Sequence, residues 1–182
     1  MSFQNYFNKP LLKVPLVIGL ITGLLAFGYF LGLYALGFTP LGNIRTPDFG
    51  IHIITICYAC WHYRKKYGQG WLHLWEGLTM GYVINMTAAF ITGWLIYFFV
   101  TYIDPQVFVD YTQEMVQLLM DGKDQLLENI GEEEFNKLIN EVKANQPATL
   151  ITDEISKKFF LGIIPILLIS LFFRRQKPVG EQ

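Results

Sequence analysis

The chain has 182 residues, 52% hydrophobic and only 16% charged, with 14 lysines and arginines against 15 acids. A soluble domain carries nearer a quarter charged residues, so the surface chemistry of one is missing. The formal charge of −1 excludes the basic excess of a nucleic-acid binder, and two cysteines exclude a disulfide scaffold.

The first element is the run Val14 to Phe38, 25 residues without a charge. A helix needs about 20 residues to cross the hydrocarbon core, and glycine is tolerated there. A signal peptide is the alternative reading, but its apolar core runs to only about 7–15 residues. The run reads as a retained span over 14–37. The second element is the shortest: Phe49 to Trp61 must recruit Ile44 to Asp48 or extend to Tyr63, giving 44–63. Arg45 and Asp48 then meet an interface, where they pair; a re-entrant segment is the competing reading. The third span, 75–103, has tryptophan and tyrosine near its ends for interfacial belts. The fourth, 155–173, is apolar from Phe159 to Phe173, with Lys157 and Lys158 snorkelling to the interface. Pro165 bends it.

Between spans three and four the chemistry changes. Asp104 to Lys158 holds 12 acids and five lysines, a net −7 that cancels the +6 of the remainder. Val107, Phe108, Tyr111, Met115, Leu118 and Leu119 recur at helical spacing, and Gly131 breaks the pattern. The stretch after it, with Phe135, Leu138, Ile139 and Val142 on one face, predicts another amphipathic helix ended by Pro147. The acidic loop 104–154 is thus expected to be helical and to lie outside the membrane. Lys9, Lys13, Arg64, Lys65, Lys66, Arg174, Arg175 and Lys177 fall on the other side. The positive-inside rule makes that side, with both termini, cytoplasmic.

Chemistry-bearing residues are sparse. Glu76 is the only acid between Asp48 and Asp104, and an ionisable group at membrane depth is a site hypothesis by default. With His73 one turn before it and Asn85 deeper, it makes a speculative intramembrane polar site. The bland reading pairs Glu76 with a base at headgroup level. Cys57 and Cys60 share a helical face near His52 and His62, but a single CxxC in an apolar helix is a weak metal signal, and packing is its default reading. No catalytic, cofactor-binding or metal-binding residue is assigned. Gly19 and Gly23, Gly28 and Gly32, and Gly77 and Gly81 each form a GxxxG pair suited to helix packing.

Several stretches carry a family resemblance: Tyr63-Arg64-Lys65-Lys66, then Tyr67-Gly68-Gln69-Gly70, then Trp71-Leu72-His73-Leu74-Trp75-Glu76-Gly77-Leu78. Gly81 follows, then Trp94 to Val100 leading to Tyr102-Ile103-Asp104-Pro105, with a last span closed by Arg174-Arg175. In these the chain resembles the uncharacterised bacterial membrane family known as domain of unknown function 4199, from Leu11 to Lys177. The resemblance implies four spans and a Bacteroidota source, and brings no activity, catalytic residue or cofactor with it.

The expectation is an all-α, polytopic, single-domain protein of 1–182 in the bacterial inner membrane. It has four transmembrane helices and an amphipathic helical loop between helices three and four. Its leading function is non-enzymatic: a structural or interaction module in the lipid bilayer. Residues 105–145 would meet a second copy or another membrane or periplasmic protein, and no nucleic acid. An oligomeric small-solute or ion transporter or channel is the alternative.

Overall fold

In a computed structural model, residues 9–176 are described; Lys177, counted in the charge reading above, lies outside them. Apolar runs without water to satisfy their backbone must close their own hydrogen bonds, and the chain is helical almost throughout. Helix α1 spans Lys9–Ala35, α2 Phe49–Lys66 and α3 Leu74–Phe98. Next come α4 at Gln106–Asp121, α5 at Lys123–Ala144 and α6 at Thr149–Phe173. A 3₁₀ helix, Asn43–Asp48, leads into α2, and a π-helical turn, Phe99–Ile103, closes α3. Three segments are long and apolar enough to cross a membrane: Pro10–Ala35, Leu74–Ile103 and Thr149–Phe173. Helix α2 is not among them, being 18 residues long with Arg64, Lys65 and Lys66 in its last turn.

The four longest apolar elements, α1, α2, α3 and α6, run alternately up and down. Thr22 on α1 donates to Thr55 on α2 at 2.9 Å, and Tyr29 near the end of α1 reaches the Ile44 carbonyl before α2. At the opposite end, Leu72 and Arg175 exchange backbone hydrogen bonds of 2.9 and 2.8 Å, joining the start of α3 to the end of α6. Arg64 and Arg175 therefore share one end of the bundle, and the α4–α5 hairpin stands at the other.

Helix α3 is central, because glycines on α1 and on α3 itself let neighbours approach it on two sides. A Cβ on Gly19 would meet Thr87 Cβ at 2.7 Å, and one on Gly23 would meet Ile91 Cβ at 2.9 Å, so α1 rests on α3 there. Across α3, a Cβ on Gly77 would meet Ser170 Cβ at 3.0 Å, and one on Gly81 would meet Ile166 Cγ2 at 2.5 Å on α6. Gly28 and Gly32 share the same spacing, yet among the described residues nothing lies within 4 Å of a Cβ on either. Two apolar clusters result. Ile56, Cys60, Met80, Ile84 and Ile166 fill the basic end, while Phe30, Ile96, Phe99, Val107 and Leu150 fill the hairpin end.

The hairpin follows from its own sequence. Asp104 accepts the Gln106 N–H at 3.1 Å and the Tyr34 hydroxyl at 2.8 Å, fixing the start of α4 over the end of α1. Phe135 and Ile139 are the buried side chains of α5. Gly131 sits at φ 79°, ψ 169°, a conformation open essentially only to glycine, and kinks α5 where the sequence pattern breaks. Helix α6 begins at Thr149, six residues before the predicted span, because Glu154 is drawn into the bundle rather than left in the loop. Lys157 is exposed, but Lys158 is 2% exposed, which corrects the expectation that it snorkels. An acid partner inside the bundle holds its ammonium there.

The unequal surroundings of equally spaced glycines give a direct test. Gly19→Leu should destabilise the protein in detergent by about 1–3 kcal/mol through overpacking against α3. Gly28→Leu should leave thermal unfolding close to wild type. Equal losses at both positions would contradict this packing.

Candidate functional site

On α6 buried positions recur every fourth residue, at Leu150, Glu154, Lys158, Gly162, Ile166 and Ser170, with Ile169 buried beside the last. Side chains four apart lie on one helical face, so Glu154 and Lys158 point inward with the apolar members of the stripe. Opposite them, the 3₁₀ helix supplies Arg45 and Asp48, and α2 supplies His52.

These residues form a charge-balanced quartet. Arg45 Nε lies 3.2 Å from Asp48 Oδ2, and Arg45 Nη2 also pairs with Glu154. The Lys158 ammonium pairs with Asp48 and lies 3.9 Å from Glu154 Oε1. No member's side chain is more than 10% exposed. A lone buried charge costs several kcal/mol, so two cations need two anions at contact distance. The Lys158 ammonium also stands 5.4 Å from the Phe49 ring centroid, and that ring stacks on His52.

Asn85 on α3 joins this cluster to the central helix. Its Nδ2 donates to the Lys158 carbonyl at 2.7 Å, which places Oδ1 toward His52 Nδ1 at 2.8 Å. A carbonyl only accepts, so the amide orientation is fixed, and His52 must then carry its proton on Nδ1. Among the described residues, His52 Nε2 is buried without a hydrogen-bond partner, as is Glu154 Oε1. Gly162 makes the approach possible, since a Cβ there would run into the Asn85 amide.

A cavity of about 80 Å³ reaches Arg45 and Glu154 from the hairpin side, bounded by Tyr111, Asp153 and Lys157. Its size suits water rather than an organic ligand, for which pockets start near 300 Å³. Burial pushes the Tyr111 phenol above its ordinary pKa, Asp153 and Glu114 add to the shift, and Arg45 opposes it. The quartet therefore meets this cavity at Arg45 and Glu154, and its chemistry is that of an ionic tie between the start of α2 and α6.

The polar site expected from sequence divides in two. Glu76 Oε2 accepts the His73 backbone N–H at 2.8 Å and Glu76 Oε1 lies 3.4 Å from the Tyr63 hydroxyl, so it caps the start of α3. Asn85 is nine residues further along, about 13 Å deeper, and fully buried. The structure brings Asn85 together with His52 and Lys158, not with Glu76 and His73. Cys57 and Cys60 are free thiols. Among the described residues, no three His, Cys, Asp or Glu side chains are grouped to hold a metal ion. The Arg45–Asp48 pair was legible as an i,i+3 contact. Glu154 and Lys158 were missed, although their phase with Gly162, Ile166 and Ser170 carried the signal.

The fold and this site define an all-helical bundle of membrane-spanning character, held together internally by buried ion pairs. A family model described as "Protein of unknown function (DUF4199)" matches residues 18–175, and the chain belongs to that family. No curated protein matches the chain, and no solved structure does.

Asn85→Leu tests the bridge to α3. It orphans the His52 Nδ1 proton and the Lys158 carbonyl, so it should cost about 1–3 kcal/mol in a denaturant titration of the detergent-solubilised protein. An unchanged midpoint would contradict the assigned hydrogen bonds.

Proposed function

We propose that the protein is a four-span module of the bacterial inner membrane with both termini in the cytoplasm. Its role is non-enzymatic: it holds the α4–α5 hairpin outside the membrane as a docking surface for a protein partner with a basic face. The observation that carries this reading is the isolation of the hairpin. Helix α5 packs on α4, and α4 is seated on the bundle through its first half, from Val107 in the apolar cluster to Glu114 beside Gly42, so the second half of α4 and α5 project from it. Val109, Leu118, Met120 and Ile130 are each more than a third exposed there. They lie among the nine acids and three lysines of residues 106–144. A surface with exposed apolar side chains and an excess of acids suits a partner of opposite charge.

The four-span topology draws support from length. Helix α2 with the 3₁₀ helix before it runs about 39 Å, enough to cross a core of about 30 Å. Its last-turn bases then lie with Arg174 and Arg175, as the positive-inside rule favours for a cytoplasmic face. An oligomeric transporter or channel is the second reading, and the buried quartet is the feature in its favour. Against it stand the capping role of Glu76 and the apolar cluster that fills the bundle below the quartet.

Two measurements in cells test the proposal. Single cysteines at Glu128 and Lys137, on a background lacking Cys57 and Cys60, should react with a membrane-impermeant thiol reagent from the periplasm, and one at Lys65 should not. Photocrosslinkers at Leu118 and Ile130 should then capture a discrete basic protein, with yields that fall as salt is raised. Labelling of the hairpin from the cytoplasm, or solute flux in proteoliposomes abolished by Lys158→Met, would overturn it.

A further inference from the structure

At the basic end of the bundle, a cavity of about 360 Å³ opens between α1 and α2. Its floor is apolar, with Val14, Val17, Ile18 and Ile21 along α1 facing Tyr58 on α2. Val17, Ile21 and Tyr58 are each close to half exposed, so the groove opens outward from the bundle rather than into it. From Lys13 to Ile21 it extends about 12 Å along the α1 axis. Such a trough fits a stretch of hydrocarbon chain.

The mouth has a different chemistry. Lys13, His62 and Tyr67 line it. His62 stacks on Tyr58 with centroids 5.7 Å apart and meets Tyr67 edge-on at 6.3 Å, so the wall is a ladder of three rings. The Lys66 ammonium does not line the groove but stands 5.6 Å from the centroid of the Tyr67 ring that does, a second cation in reach of the mouth. At this end Glu76 is occupied by the His73 N–H, and Arg64 lies over Phe173 and donates to its carbonyl. Among the described residues, no acid lines the groove.

We propose that this groove binds one anionic phospholipid. An acyl chain lies along Val14, Val17, Ile18 and Ile21, and the phosphodiester is held at the mouth by Lys13 and Lys66. Charge complementarity selects the occupant: a zwitterionic headgroup brings its own cation to two ammonium groups, whereas an anionic one leaves them paired. The apolar floor selects a lipid over a free phosphate. This inference rests on the bundle standing in a bilayer, and on neither the hairpin's partner nor the number of spans.

The test uses the full chain, purified after incubation with mixed phosphatidylcholine–phosphatidylglycerol vesicles, with retained lipid read by native mass spectrometry. Phosphatidylglycerol should be retained in preference to phosphatidylcholine. Lys13→Gln should lower that preference about fivefold, the factor expected for one interfacial cation. Lys66→Gln should act in the same direction, and Val17→Trp should reduce retention of either lipid by filling the trough. Lys137→Gln on the hairpin should change nothing, and glycerol phosphate should not displace the bound lipid. Equal retention of the two lipids would overturn the proposal, as would a Lys13→Gln protein that behaves like Lys137→Gln. Displacement by glycerol phosphate would also overturn it, by assigning the mouth to a free phosphate.

Discussion

Two acids and two bases buried between apolar helices can persist only if each finds its counter-charge, and this requirement shapes the hairpin end of the bundle. Asp48 and Arg45 come from the turn that starts α2, while Glu154 and Lys158 come from the first half of α6. Separating those segments would leave charges unpaired in a low dielectric, at a cost of about 3–5 kcal/mol for a broken pair. The tie is thus stronger as a constraint on position than as a source of net stability. It also sets where α6 begins, since Glu154 must enter the bundle for the charges to balance.

Away from the quartet, closeness rather than hydrophobicity holds the helices together. Lipid tails are as apolar as leucine, so burial alone gives spans little reason to associate. Gly19 and Gly23 bring α1 onto α3, Gly77 and Gly81 bring α6 onto the opposite side, and Gly162 admits the Asn85 amide. Asn85 then connects the packed helices to the ionic tie by its bonds to Lys158 and His52. Outside this framework the hairpin is anchored to the core by Val107, and its distal part adds surface. That separation suits the docking role proposed for it.

How far the sequence carried can be seen in particular residues. Helices α1 and α3 were legible because an uncharged run of span length has few other uses, and α6 because the 15 apolar residues from Phe159 to Phe173 extend to a span once Lys157 and Lys158 are taken in. The kink at Gly131 was legible because the apolar pattern stops there. Lys158 was misplaced because a window reading of hydropathy takes any charge as the edge of a span. Only the four-residue phase from Leu150 to Ser170 distinguishes a buried lysine from a snorkelling one. Glu76 drew attention as a lone acid, when its place three residues after His73 already described a helix cap. The glycine pairs show a further limit: spacing says that a helix face is smooth, not what covers it, and among the described residues a Cβ on Gly28 or Gly32 would meet nothing within 4 Å where one on Gly19 or Gly23 would.

The claim at the centre of this account is that Asp48 and Lys158 act as one unit joining α2 to α6. A double-mutant cycle in reversible detergent unfolding measures it, using Asp48→Asn, Lys158→Met and the two combined. Each single substitution should be costly because it strands the opposite charge, and the double should lose much less than their sum, a coupling of about 2 kcal/mol or more. Additive losses would contradict the buried tie and with it the placement of α6.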